Sequence, residues 1–278
     1  MQITQKLKDK KNGYIIYSLI MFFLFLSQSN NIGFDTDSVG ANSSKIGILI
    51  FLVTLIGSYI AQYSSLSFSK GRYRGLIVSV LPLSLSFGVY LSFYHFPNFS
   101  FLFKTLSLVI VSVLFYLISL VNNIFLVVDE KEDVFPLYRV AVTWSQILLV
   151  IISIPVYVGI CKFDQSPVLQ VLLAGGMTFV FTAYYLWSLN FDTRIRKTTL
   201  LEKIFNCFFC VFLVMAGIIS VSFIPTEAFL RGLFAASILL FGLNYLDGYV
   251  KNRLNKGFLY IYGSIFVLFL ILILVFRP

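Results

Sequence analysis

Nine apolar stretches alternate with short polar stretches along the 278-residue chain. A helix needs about 20 mostly apolar residues to cross the hydrocarbon core of a bilayer. None of the nine stretches contains Asp, Glu, Lys or Arg in its central part. The pattern therefore predicts an all-α, polytopic transmembrane helical bundle with helices at 14–27, 46–63, 75–94, 105–128, 140–160, 167–190, 204–224, 229–247 and 257–276.

The first apolar stretch follows a basic N-terminal segment, residues 1–13, which is predicted to lie in the cytoplasm. A basic flank before an apolar run is also typical of a cleaved signal peptide. The residues that follow, from Ser27 to Asn31, are polar and bulky and do not form an Ala-x-Ala type of cleavage site. We therefore favour an uncleaved anchor, with a cleaved signal as the alternative, and expect residues 14–276 to form a single transmembrane domain.

The composition also favours a membrane protein. Hydrophobic residues make up 59% of the chain and charged residues only 12%, whereas a soluble domain has roughly 25% charged residues. A soluble fold of this composition would have to leave large apolar patches in water. The lipid bilayer is therefore the expected partner of most of the surface.

The distribution of basic residues predicts how the chain is oriented. Lys and Arg are enriched in the cytoplasmic loops of membrane proteins. If the N-terminus is inside and the nine helices alternate, sixteen of the 21 Lys and Arg residues fall on the inner side and five on the outer side. The C-terminus is then predicted to be outside. The same bias explains the net charge of +9, so no nucleic-acid partner is expected.

Residues that could support catalysis are sparse. His95 is the only histidine, so one chain cannot supply a two-histidine zinc motif. Cys207 and Cys210 form a C-x-x-C pair, but the pair lacks both the βαβ context of a redox motif and two further metal ligands. The sequence contains no phosphate-binding loop and no dinucleotide-binding fingerprint. We therefore predict no catalytic or metal-binding residue and no cofactor.

Two signatures of membrane enzymes that act on lipids are incomplete. Intramembrane prenyltransferases use paired aspartate-rich motifs that hold a diphosphate through Mg²⁺, and only one acidic cluster, at 129–133, is present. Asp247-Gly248 keeps the centre of the motif of CDP-alcohol phosphatidyltransferases, but the first Asp and the following Ala-Arg are missing. Asp247 is therefore interpreted as a helix-end residue in a polar turn.

Uncharged polar side chains predict a pocket near the inner ends of the fourth and fifth helices. Asn122 and Asn123 lie late in the fourth helix, while Trp144 and Gln146 lie early in the fifth, close to Arg139. A buried amide is unfavourable in lipid unless it is hydrogen-bonded, so these residues are expected to face one another. The set is either a polar pocket open to the cytoplasm or a group of interhelical hydrogen bonds, and we favour the second.

Five short motifs occur in a characteristic order: Arg72-Tyr-Arg-Gly-Leu76, Asn123-Ile-Phe-Leu-Val-Val128, Pro136-Leu-Tyr-Arg-Val-Ala141, Leu186-Trp-Ser188 and Phe223-Ile-Pro-Thr226. In this order they resemble a family of uncharacterised bacterial multi-pass membrane proteins, a domain of unknown function. The family's usual Asn-Ile-Phe-Asn-Val is Asn-Ile-Phe-Leu-Val here. The resemblance implies about nine helices in the bacterial cytoplasmic membrane and no known activity.

Three hypotheses of function follow from these observations. The favoured one is a non-enzymatic bundle that associates with lipid, with another membrane protein or with a copy of itself. The alternative is a carrier or channel for a neutral or lipid-like solute that uses the polar pocket. The least favoured is a lipid-modifying enzyme that works at the inner face around Asp129, Glu130, Glu132, Asp133 and Arg139.

Overall fold

The computed structural model describes residues 2–31, 39–62, 73–96, 100–131, 136–163, 166–191, 199–253 and 256–275. Within these ranges the chain forms nine α-helices and no strand. In chain order the helices are α1 (Gln2–Asn31), α2 (Val39–Gln62), α3 (Tyr73–His95), α4 (Phe101–Lys131), α5 (Pro136–Cys161), α6 (Pro167–Leu189), α7 (Leu200–Ser222), α8 (Ala228–Val250) and α9 (Lys256–Val275). The predicted all-α helical bundle is confirmed.

Each predicted apolar segment corresponds to one of these helices, and the differences lie at the helix ends. Helix α1 begins at Gln2 and α2 at Val39, well before the apolar runs that the prediction followed. A helix continues into polar sequence where nothing breaks it, so apolar runs underestimate its length. Helix α7 ends at Ser222, two residues earlier than predicted, because Pro225 disfavours helical backbone at the residue before it.

Seven helices are long and apolar enough to cross a membrane, judged by length and composition over the described residues. They are α1 and α3 to α8, whereas the qualifying apolar parts of α2 and α9 are the shorter stretches Gly47–Gln62 and Tyr260–Val275. Seven of the nine predicted membrane crossings therefore correspond to helices that are long and apolar enough. The crossings by α2 and α9 stay predictions.

Large apolar side chains cover the outward faces of the helices. Leu102 is 73% exposed, Phe205 70% and Phe212 69%. Contiguous apolar surface of this kind is rare on soluble monomers. The exposed faces therefore suit a lipid environment.

The chain divides into two compact units, Met1–Ala141 and Val142–Pro278, and the division falls within α5. In the first unit, α1 packs against α2 and α4, and α3 packs between α2 and α4. In the second unit, α6, α7, α8 and α9 pack in chain order, and α6 also contacts α8. The predicted single domain over 14–276 stays a prediction.

A proline in α3 explains one buried polar contact of the first unit. Pro82 lies inside α3 and has no N–H to donate to the carbonyl oxygen of Val78, four residues earlier. The Asn122 side-chain Nδ2 donates to that oxygen across 2.9 Å. Helix α4 thus supplies the donor that α3 lacks, and the two helices are joined at this point.

Several other interhelical hydrogen bonds in the first unit involve α2. The Thr54 and Ser86 hydroxyls are hydrogen-bonded at 2.8 Å, which joins α2 to α3. The Tyr17 hydroxyl donates to the Thr54 carbonyl at 3.3 Å, and the Gln62 Nε2 donates to the Ser119 carbonyl at 2.8 Å. Side-chain hydrogen bonds between membrane helices are worth about 0.6 kcal/mol each on average. Together they fix how these helices pack.

Candidate functional site

The residues of the predicted polar pocket belong to different units. Asn122 and Asn123 are buried on α4 and, with Arg139 at the start of α5, lie in the first unit. Trp144 and Gln146 lie further along α5, in the second unit. Asn122 bonds to α3, as described above, and Gln146 bonds to α6. A pocket formed by all five residues stays a prediction.

A polar cluster in the second unit joins the beginning of the unit's α5 segment to the ends of α6 and α8. We call it the Asp247 cluster; it comprises Gln146, Tyr185, Asp247 and Lys251. The Tyr185 hydroxyl lies 3.1 Å from Asp247 Oδ1 and 3.4 Å from Gln146 Oε1. The Lys251 ammonium forms an ion pair with the same Asp247 oxygen at 2.6 Å.

The single hydroxyl proton of Tyr185 decides how the cluster is bonded. A phenol donates one hydrogen bond at a time, and the shorter contact assigns this bond to the Asp247 carboxylate. The oxygen and nitrogen of a glutamine amide are assigned from the hydrogen-bond network. Turning the Gln146 amide over lets its nitrogen donate to the Tyr185 oxygen. The cluster then runs as a continuous chain from Gln146 through Tyr185 to Asp247.

The Asp247 cluster is suited to stabilising the packing of α6 against α8 and α5 at their ends. Tyr185 is fully buried, while the side chains of Asp247 and Lys251 are 22% and 30% exposed. Asp247 and Lys251 lie four residues apart on α8, a spacing that places them on the same helix face. Their charges cancel, which lowers the cost of a carboxylate at the end of an apolar helix.

Sequence reasoning missed most of this cluster. It interpreted Asp247 as a helix-end residue in a polar turn and did not connect it with Tyr185. The structure places Asp247 in the last turns of α8, as expected, but adds Tyr185 as its partner. The spacing of Asp247 and Lys251 was the available signal. Nothing local points to Tyr185, which is 62 residues from Asp247 along the chain.

The structure describes the three cysteines and the first residue of the acidic cluster. Cys161, Cys207 and Cys210 are buried free thiols. The Cys210 sulfur packs against Gly242, where it would lie 2.9 Å from an added Cβ. Among the described residues, no group of three His, Cys, Asp or Glu side chains could hold a metal ion. Of the acidic cluster at 129–133, Asp129 lies in α4, whereas the side chains from Glu130 onward lie outside the described residues.

An apolar groove of about 930 Å³ lies between α7, α8 and α9 in the second unit. No charged residue lines it, and the polar side chains along it are the hydroxyls of two serines and one tyrosine. The lining residues are Leu213, Ala216, Gly217 and Ser220 of α7, Phe234, Ile238 and Phe241 of α8, and Tyr260, Gly263, Ser264, Phe266, Val267, Leu268, Leu270, Ile271 and Leu272 of α9.

Helix α8 forms the middle of the groove because it packs against both α7 and α9. The Phe234 ring lies 5.2 Å from the Phe266 ring of α9, measured between centroids. On the other side, Gly217 admits Ile238, whose methyl group occupies the place of a Cβ. In contrast, a Cβ added at Gly263 would meet no atom within 4 Å. The groove is therefore tightly packed at its base and has free space beside α9.

The length of the groove matches one leaflet of a bilayer. Along α9 it extends from Tyr260 to Leu272, roughly 18 Å at the helical rise of about 1.5 Å per residue. Half of the hydrocarbon core is about 15 Å thick. An acyl chain from one leaflet can thus lie along the whole groove.

Comparison of the chain with models of known protein families, with curated proteins and with solved structures gave no match. The resemblance of the ordered motifs to a family of bacterial multi-pass membrane proteins stays a prediction.

Proposed function

We propose that the protein is an integral membrane protein of the bacterial cytoplasmic membrane, with its N-terminus inside, that binds a membrane lipid without chemically changing it. Seven helices of spanning length and their exposed apolar faces support a membrane location. The sixteen-to-five distribution of basic residues supports the orientation. The lipid-binding role rests on the groove between α7, α8 and α9.

The lining of the groove is the observation that carries the proposal. It offers apolar side chains over a length of one leaflet and places no charge against its occupant. Its volume of about 930 Å³ falls within the range of roughly 300–1,000 Å³ typical of small-molecule sites. Water is not a favourable occupant because an apolar lining gives it too few hydrogen-bond partners. The acyl chains of the surrounding lipid fit both the chemistry and the shape.

Two glycines of α9 provide a matched test. A Cβ at either Gly257 or Gly263 would meet no atom within 4 Å, so both positions have room for a larger side chain. Only Gly263 lines the groove. Gly263→Leu should fill it, whereas Gly257→Leu makes the same chemical change on the same helix and should leave the groove open.

The test is native mass spectrometry of the protein released from nanodiscs made with lipids of its own membrane. We expect the unsubstituted protein and Gly257→Leu to retain a lipid mass and Gly263→Leu to lose it. Thermal unfolding of the three proteins should be similar, which shows that the loss is local. A bare chain in every case, or equal retention by both variants, would refute lipid binding in this groove.

A further inference from the structure

We infer that the groove selects an anionic phospholipid, whose phosphate is bound by Arg253 at the turn between α8 and α9. The inference rests on the proposed function, because it names the headgroup of the lipid whose tails occupy the groove. It adds a polar recognition element outside the apolar lining.

The turn carries an excess of positive charge. Between positions 247 and 256 the sequence has three basic residues, Lys251, Arg253 and Lys256, and a single acidic one, Asp247. Lys251 is paired with Asp247, which also accepts a bond from Tyr185. Arg253 is exposed and has no ion pair with any residue in the described part of the chain. Its guanidinium is therefore available to an anion.

The backbone at the end of α8 fixes where Arg253 lies. The Arg253 N–H donates to the Gly248 carbonyl at 2.8 Å, and the Asn252 N–H donates to the Tyr249 carbonyl at 3.2 Å. Asn252 has a φ of 52°, a left-handed conformation that asparagine tolerates better than most residues. This pattern is a Schellman motif, which ends the helix sharply. Arg253 is consequently held at the end of α8 by two backbone hydrogen bonds.

This turn lies beyond the end of the groove that is marked by Phe241 on α8 and Tyr260 on α9. Phe241 precedes Val250, the last residue of α8, by nine residues, or roughly 14 Å along the axis. Tyr260 lines the groove and follows Lys256, the first residue of α9, by about one helical turn, or roughly 6 Å along the axis. The groove then continues along α9, away from the turn. A phospholipid has the same polarity, with a charged headgroup at one end and apolar chains that extend from it.

The headgroup should be anionic, and arginine suits its phosphate. The planar guanidinium can donate two parallel hydrogen bonds to a phosphate, whereas a lysine ammonium binds as a point charge. A zwitterionic headgroup carries its own cation, which weakens its attraction to a basic turn. The turn is predicted to lie on the cytoplasmic side, where anionic lipids attract basic residues close to the membrane.

The test uses nanodiscs with equal amounts of phosphatidylglycerol and phosphatidylcholine that have identical acyl chains. Native mass spectrometry of the released protein measures the ratio of the two lipids retained. We expect phosphatidylglycerol to dominate and Arg253→Gln to lower its ratio to phosphatidylcholine about fivefold, the effect expected for one basic residue near the membrane surface. Arg139→Gln is the matched control, because it removes an exposed positive charge on the same predicted side.

The outcomes distinguish a failure of the headgroup inference from a failure of lipid binding in the groove. Equal retention of the two lipids by the unsubstituted protein would overturn the headgroup inference, as would an equal loss of selectivity in Arg253→Gln and Arg139→Gln. In both cases the groove still stands if Gly263→Leu abolishes retention. If Gly263→Leu retains lipid as the unsubstituted protein does, the proposed function fails, and the headgroup inference fails with it.

Discussion

Replacing Asn122 by leucine should destabilise the protein, because it leaves the Val78 carbonyl oxygen without a hydrogen-bond donor. Asn122→Leu keeps a side chain of similar size but removes the donor to the Val78 carbonyl, which Pro82 leaves without a helical partner. A buried carbonyl without a donor costs about 1–3 kcal/mol in soluble proteins. Interhelical bonds measured in a membrane protein are worth about 0.6 kcal/mol on average and about 1.7 kcal/mol at most. No N–H of α3 can replace the lost donor. We therefore expect Asn122→Leu to lower the free energy of unfolding by about 1.5 kcal/mol.

A double-mutant cycle with Pro82→Ala isolates this effect. A backbone N–H at position 82 can donate to the Val78 carbonyl, so Asn122→Leu should then cost less than about 0.5 kcal/mol. The free energy of unfolding is measured in mixed micelles by denaturation with sodium dodecyl sulfate. Asn244→Leu is the control, because the Asn244 amide donates to the Leu240 carbonyl of its own helix. Equal costs of Asn122→Leu in the two backgrounds would refute the reasoning.

Three further predictions use the same preparation. Gly232→Ala should lower the free energy of unfolding by about 2 kcal/mol, because the added Cβ would lie 2.6 Å from the Val158 backbone nitrogen. Gly176→Ala is its control: a Cβ added there would meet no atom within 4 Å, so the melting temperature should not fall. Tyr185→Phe removes a donor to Asp247 and should cost about 1 kcal/mol of unfolding free energy; an unchanged value would show that the Asp247 cluster does not fasten α6 to α8. A reporter fused after Pro278 should be active outside the cytoplasm, and activity only in the cytoplasm would contradict the predicted orientation.

The helices could be predicted because the information for each is local. An apolar run of membrane length is visible in any short window of the sequence, and some helix ends carry equally local signals. Helix α7 starts at a capping box in which the Thr199 hydroxyl accepts from the Glu202 N–H and the Glu202 carboxylate accepts from the Thr199 N–H. The starts of α1 and α2 were missed because the prediction followed the apolar runs, which begin only at 14 and 46.

The groove could not be predicted because it depends on packing between helices. Leu213, Ile238 and Val267 line one surface but come from three different helices, and apolar periodicity does not tell a groove from a lipid-facing ridge. The contact between Asn122 and Val78 is an intermediate case. Pro82 shows from sequence alone that a carbonyl is freed, and a buried asparagine is a suitable donor. Only the register between α3 and α4 shows that the two meet.

The way polar side chains are used within the bundle bears on the carrier alternative. A carrier needs polar groups that face a water-accessible pathway at membrane depth. In the described part of the chain, Thr54 bonds to Ser86 and Tyr157 bonds to Thr178 across helix pairs. The groove, for its part, is apolar. We therefore expect transport of water-soluble neutral solutes to be absent.

Proteoliposomes should accordingly release glycerol and small sugars no faster than protein-free liposomes, in both directions across the membrane. Lipid retention by protein from the same preparation, measured by native mass spectrometry, shows that the sample is folded. The decisive opposite result would be a solute flux that Asn122→Leu or Gln146→Leu abolishes while Gly263→Leu leaves it intact. Such a flux would assign the function to the polar pocket predicted from the sequence, because a lipid groove gives no reason for dependence on these two amides.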